Sequence, residues 1–325
     1  MIKTVVGNYP KVGPPTRVSS LRQAISQFDT GKISREELAR VEDEVTKEII
    51  EQQSSAGLDV ISDGHIRWDD PQTYFARKLQ GFSLDGLIRY FDTNTYYRHP
   101  IAEAPVRWTE PITVHDYQFA AAHSSRPVRA VIIGPYTLAR LSQRKHYRSL
   151  RRMTLDIASA LNQEARALQA AGAPVIQFDE PAILKHPEDF DLFAEAASVV
   201  TEGISRAKTQ VQTFFGSLDR LSPQFFELPF TVIGLDFVMG AKNWEFIRKF
   251  PDNKELGFGI IDARNTKLET LEEIVYAVKR ISSIVPLSRV HISPNCGLEF
   301  LPRSSAYAKL VRMVEGANTA QEVVR

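Results

Sequence analysis

Cysteine occurs once in the 325 residues, at Cys296. A lone thiol excludes an internal disulfide, fits a reducing compartment, and rules out a metal held by clustered cysteines. Charge of one sign is missing as well: 40 Lys and Arg stand against 39 Asp and Glu, a formal net charge of +1. That balance gives no support to a nucleic-acid or membrane surface as the main partner. No apolar run reaches the length of a membrane span, and no early stretch reads as a signal peptide. The expected setting is therefore cytoplasmic. Short catalytic signatures are scarce too: there is no standard glycine-rich phosphate loop, no H-E-x-x-H, no C-x-x-C and no serine nucleophile elbow.

What the chain does have is apolar content, 43% of residues, distributed in eight similar segments. They read K-T-V-V-G-N-Y, L-D-V-I-S-D-G, V-R-A-V-I-I-G-P, A-P-V-I-Q-F-D-E, Q-V-Q-T-F-F-G, F-T-V-I-G-L-D-F, E-L-G-F-G-I-I-D and V-H-I-S-P-N-C-G. Each is an apolar run with polar residues at its carboxyl end. Helical patterns lie between most of them, at 19–54, 151–171, 189–207, 270–282 and after Pro302. Ser34 and Glu37 have the spacing of a capping box, and Thr270 precedes an acidic first turn. Eight strands alternating with helices predict an α/β protein, a closed (β/α)8 barrel formed as one domain over 1–325. Residues 81–111 lack helical periodicity and are rich in aromatics. They predict an inserted hairpin or flap between strands two and three.

In such a barrel the carboxyl ends of the strands share one mouth. The residues expected there are Asn8, Asp63, His65, Asp179, Gln212, Asp236, Asp262, Arg264 and Cys296. His65 can serve as general base, donor or metal ligand near neutral pH, or simply order its loop. Arg17, in the loop after the first strand, could meet an anion. Trp68 and the Tyr136 ring, expected to be exposed by its turn, offer aromatic surface for a cofactor. Neighbours on a strand point opposite ways, so Asp179 and Glu180 need not form a dyad. By the same parity Gln212 and Phe214 face one side. The residues by themselves describe an enzyme-like pocket with no stated reaction.

I-Q-F-D-E-P-A at 176–182 and N-C-G-L at 295–298, with V-G-N-Y-P, D-G-H and G-P-Y-T, resemble the catalytic barrel of cobalamin-independent methionine synthase. The resemblance covers nearly the whole chain and is to the short, single-barrel members. It implies methyl transfer to a small-molecule acceptor, homocysteine in the family, from a methylated folate or a methyl-corrinoid carrier protein. It also implies a zinc ion that turns the acceptor thiol into a thiolate. A homodimer is compatible with it.

The family's zinc ligands are an H-x-C pair on strand five, an acid ending strand six and a cysteine ending strand eight. Here the matching positions are Gln212, Phe214, Asp236 and Cys296. Glutamine is a poor zinc ligand and phenylalanine is none, so zinc is not expected at that site. The acid that holds the substrate amino group in the family stands as His65, while its partner acid is kept as Asp179. Arg264 stands where longer members have a histidine, and Asn8 replaces a serine. These changes favour a methyltransferase acting on an acceptor other than homocysteine, with His65, Asp179, Asp236 and Cys296 catalytic. Alternatives are the zinc-dependent homocysteine reaction itself, a lyase or decarboxylase on a small carboxylate, and a non-catalytic binding protein.

Overall fold

A computed structural model describes residues 1–11 and 19–324. Its strands are β1 (Ile2–Lys3), β2 (Gln80–Arg89), β3 (Tyr96–Arg107), β4 (Ala130–Ile133), β5 (Gln143–Arg144), β6 (Val175–Asp179), β7 (Lys208–Gln212), β8 (Val232–Asp236), β9 (Glu255–Ile261) and β10 (Val290–Pro294). Seven of them make one sheet in the order β1-β10-β9-β8-β7-β6-β4. The registers along it are parallel, for example Ile2↔His291, Ile292↔Phe258, Ile132↔Phe178 and Val211↔Ile233. The expected second strand takes part through two isolated parallel bridges, Thr4↔Val60 and Ile61↔Val128. These supply the eighth position, between β1 and the residues that lead into β4. The fold class is α/β, of the (β/α)8 type.

Local chemistry explains where the elements begin and end. β4, β8 and β10 are buried at every residue, as expected of parallel strands covered on both faces. The helical pattern at 19–54 resolves into α1 (Ser19–Asp29) and α2 (Arg35–Ser55). Gly31, with φ 69°, breaks the run between them. At the start of α2 the Glu37 amide donates to the Ser34 hydroxyl at 3.2 Å, and the Ser34 amide donates back to the Glu37 carboxylate at 2.8 Å. The remaining helices are α3 (Pro71–Lys78), α4 (Val114–Ala122), α5 (Pro135–Arg140), α6 (Leu150–Ala170), α7 (Phe190–Thr201), α8 (Asn243–Phe246), α9 (Leu271–Ser282) and α10 (Arg303–Val324). A second reciprocal capping box, Thr270 with Glu273, opens α9. None of the described helices is long and apolar enough to cross a membrane.

The excursion is a long antiparallel hairpin, β2 with β3, joined by the short β5 parallel to β3. It starts at Gln80, one residue before the expected boundary. The Tyr147 hydroxyl anchors it by accepting from the Val106 amide at 2.6 Å.

Chain contacts divide the molecule into two compact units, the first comprising 1–67, 118–128 and 235–325 and the second 68–117 and 129–234. The first has a core of buried aliphatic side chains, among them Ile49, Leu58, Ile61, Ile261, Val290, Ile292 and Leu310. The second is built on aromatics: Phe193 stacks on Phe225 at 5.8 Å, and Phe178 lies 5.8 Å from Phe230.

Candidate functional site

In the first unit the sequence Asp63-Gly64-His65 forms a tight turn in which Gly64 and His65 both have positive φ, 70° and 53°. A non-glycine residue there is uncommon and must be held by its neighbours. The His65 amide donates to Asp63 Oδ1 at 3.1 Å, the Gly64 amide to the Ser62 hydroxyl at 3.2 Å, and the Tyr9 amide to the Gly64 carbonyl at 3.1 Å. His65 is buried, and its Nδ1 hydrogen-bonds the amide oxygen of Asn8. Asn8 Nδ2 in turn donates to Glu299 Oε1 at 3.0 Å. Because Asn8 offers its NH2 to a carboxylate, its oxygen faces the ring and accepts from Nδ1–H. The neutral imidazole then carries its lone pair on Nε2, 3.9 Å from Asp63 Oδ1. Burial, the main cause, pushes the Asp63 carboxyl up from its ordinary range.

The ends of β8, β9 and β10 supply the rest of this unit's cluster. Asp236 is fully buried. Its Oδ1 accepts from the amides of Val238 and Met239 at 2.9 and 2.8 Å, and its Oδ2 from Asn295 Nδ2 at 3.2 Å. Asn295 Oδ1 accepts from the Ala263 amide at 2.9 Å, which ties the ends of two strands together. Asp262 caps the Arg264 amide at 2.9 Å, and the Arg264 guanidinium reaches Met239 Sδ at 3.3 Å. The Cys296 thiol is buried and points to the Gly297 carbonyl at 3.6 Å. Burial pushes it well up, and the charges of Glu299 and Asp236 add to the effect.

The second unit holds Asp179, Gln212, Tyr136 and Trp68. Asp179 pairs in register with Gln212, and Gln177 Nε2 donates to Asp179 Oδ1 at 2.7 Å. The buried Arg129 guanidinium donates to Gln177 Oε1, making a chain Arg129–Gln177–Asp179. Glu180 points elsewhere, accepting from the amides of Tyr136 and Thr137 at 2.9 and 2.7 Å and from the Thr137 hydroxyl at 2.6 Å. It is thus a brace for the start of α5. A Cβ on Gly134 would come 2.0 Å from the Glu180 carboxyl carbon, so this contact needs glycine. Tyr136, expected to expose its ring, is fully buried and donates its hydroxyl to Asp189 at 2.7 Å. Trp68 is also buried, stacked 5.1 Å from Tyr74.

Asn8, Asp63 and His65 are therefore brought together, as are Asp236, Asp262, Arg264 and Cys296 around the ends of β8, β9 and β10, while Asp179 and Gln212 are ladder neighbours. Arg17 lies outside the described residues. Glu299, Asn295, Arg129 and Gln177 were not anticipated. Glu299 carried one available signal, an acid three residues after the only cysteine.

The four positions that matter for zinc do not offer it a donor set. Gln212 Oε1 accepts from Gln210 Nε2 at 2.8 Å, and its Nε2 donates to the Thr213 carbonyl at 3.2 Å. Phe214 has no donor atom. Both Asp236 oxygens are engaged by protein N–H groups. Among the described residues no group of three or more His, Cys, Asp or Glu is arranged to hold a metal.

The fold and these strand-end clusters define a (β/α)8 enzyme. Residues 1–319 match the family described as cobalamin-independent synthase, catalytic domain. The methionine synthase of Saccharolobus solfataricus is 34% identical over 326 residues, covering 99% of this chain and 95% of that protein. The methionine synthase of Sulfurisphaera tokodaii is 33% identical, covering 99% and 93%. Among solved structures, a B12-independent methionine synthase from a Shewanella species, in complex with selenomethionine, superposes with a TM-score of 0.86 at 22% identity, covering 99% and 98%. A putative vitamin-B12 independent methionine synthase from Listeria monocytogenes gives 0.78 at 18%, covering 97% and 96%. The chain belongs to the cobalamin-independent methionine synthase family, and is a methyltransferase of the methionine synthase type.

Proposed function

We propose that the chain, acting as one catalytic domain with the 81–111 excursion as its flap, moves a methyl group from a folate-type donor to a small acceptor. The observation that carries this reading is the match of nearly the whole chain to methionine synthases. A cobalamin-independent family also favours folate over a corrinoid carrier. By the same comparisons homocysteine is the leading acceptor. The residues themselves favour a second reading, an acceptor whose nucleophile needs no metal, because Gln212 and Phe214 stand where ligands would be required.

In both readings the donor's N–CH3 bond breaks as the bond to the acceptor forms, the freed folate nitrogen takes up a proton from water, and the acceptor loses one. His65 takes it at Nε2, the ring being oriented through Nδ1 by Asn8 and the resulting charge stabilised by Asp63. Within the second unit, Asp179 is held by Gln177 as a fixed negative charge. Arg264 offers the opposite charge for a carboxylate, and Asp236 fixes the Val238–Met239 backbone. Trp68 and Tyr136 are buried within the core of the second unit and are not open platforms for a donor.

A paired assay tests this. Purified protein is given homocysteine with methyl-tetrahydrofolate or with methylcobalamin, and zinc content is measured on the same sample. Methionine formed from the folate donor at ordinary enzymatic rates, roughly 1–1000 per second, supports the homocysteine reading. A methylated product found only when a metabolite extract replaces homocysteine supports the second. One tightly bound zinc per chain, lost in Cys296→Ala, would overturn the metal-free site, and no methyl transfer with any donor would overturn the function.

A further inference from the structure

Glu299 has an oxygen with nothing to do. Its Oε1 accepts from Asn8 Nδ2 at 3.0 Å, but its Oε2 is shut off from solvent and receives no hydrogen bond from the described residues. Buried polar atoms are almost always satisfied, and a carboxylate oxygen is among the costliest to leave bare. The chain has nonetheless made room for it. A Cβ on Gly297 would lie 2.1 Å from this Oε2 and 2.8 Å from the Asn8 Cβ, so only glycine lets the carboxylate fold back over the strand end. The Leu298 amide, donating to the Asn8 carbonyl at 2.9 Å, holds the two segments together.

The surroundings define what would fit. Asn8 joins this carboxylate to His65, the proposed proton acceptor. Burial pushes the Glu299 carboxyl up from its ordinary range, against the opposing pull of Asn8 and the field of Lys11, so a cationic partner is what would hold it ionised; its charge is also felt by the Cys296 thiol. An ionised carboxylate only accepts, and its strongest partner is a charged N–H donor.

We propose that Glu299 is a substrate contact, its Oε2 taking the ammonium group of an amino-acid acceptor beside Asn8, His65 and Cys296. Its role in turnover rests on the methyl-transfer reading above; its role in binding does not. The residue would then set specificity, selecting acceptors that carry an amino group over those that lack one.

Calorimetric titration of the full chain without a methyl donor tests this with matched ligands. The pairs are L-homocysteine against 4-mercaptobutanoate and L-methionine against 4-(methylthio)butanoate. Wild-type protein should bind the amino member of at least one pair about tenfold more tightly. Glu299→Gln should bring the two members within about twofold at an unchanged thermal midpoint. A preference that survives in Glu299→Gln, or no preference in wild type for either pair, overturns the proposal. Should that variant not fold, a co-crystal of wild type with L-methionine decides: an amino nitrogen on Glu299 Oε2 supports it, and one on another acid overturns it. A Glu299-dependent preference without turnover of homocysteine would sink the homocysteine reading and leave this inference standing.

Discussion

Glu180 shows how one buried carboxyl can couple folding to pH. Burial pushes its pKa up to about 7, against the opposing pull of its hydrogen bonds to Thr137 and Tyr136. The folded chain therefore binds a proton that the unfolded chain has already released between pH 4.5 and 7. The sign follows: this group's contribution is fully present below the unfolded pKa and is lost as pH rises through the folded one. Relative to Glu180→Gln, wild-type stability should fall between pH 5 and pH 8 by on the order of 3 kcal/mol. Urea unfolding of both proteins at several pH values measures it, and parallel curves would refute it. At this scale the sequence was legible for residue type and poor for partner. It marked Asp179 and Glu180 as pointing apart, yet could not show Glu180 capping α5, because that contact joins positions 43 and 44 apart in the chain. It also placed Tyr136 at the surface, where a fully buried ring bonded to Asp189 is found.

Among the elements, α10 depends on one buried cation. Lys309 is fully buried and donates to both oxygens of Glu269 at 2.9 Å and to the Lys267 carbonyl at 2.5 Å. Glu269 also accepts from the Asp262 amide at 2.8 Å, so the helix is linked through two residues to the end of β9. Lys309→Met leaves Glu269 without that partner and should cost about 3 kcal/mol, the usual result of removing one half of a buried pair. Denaturant titration measures the loss, and a variant within 1 kcal/mol or so of wild type would contradict it. Elements with local signals were read well in advance. The Ser34–Glu37 capping box and the cap at Thr270 depend only on residues three apart. The segment L-D-V-I-S-D-G pairs, among the described residues, through single bridges at Val60 and Ile61. The segment Q-V-Q-T-F-F-G is strand only as far as Gln212, where β7 ends, and Phe215 has φ 71°, so alternation along a strand does not govern Phe214. Strand boundaries are set by partners distant in sequence, which no local pattern reports.

At the scale of the molecule, the two compact units are interleaved, the chain passing between them at 67–68, 117–118, 128–129 and 234–235. A fragment ending at Gly234 keeps every segment of the second unit but removes β9, β10, α9 and α10 from the first. Among the described residues β1 pairs with β10, and the next residue, Thr4, with Val60, so what remains of the first unit loses its main ladder. The 1–234 fragment should therefore show sharply raised protease sensitivity over 1–67 relative to the full chain. Limited proteolysis with mass mapping reads this directly, and equal protection of 1–67 in the two proteins would refute it.

The pairing of Ile2 with His291 also sets a timetable for synthesis. At the usual 5–20 residues per second, β1 leaves the ribosome roughly 15–60 s before β10 is made. Through that interval the edge that faces β10 must wait without its partner, and the closing contact carries the entropic cost of a loop nearly as long as the chain. Segments that wait in this way are the ones chaperones hold and stray partners capture. Mutations that weaken the β1–β10 seam should for that reason lower the yield of soluble protein in cells more than they lower the stability of molecules already folded.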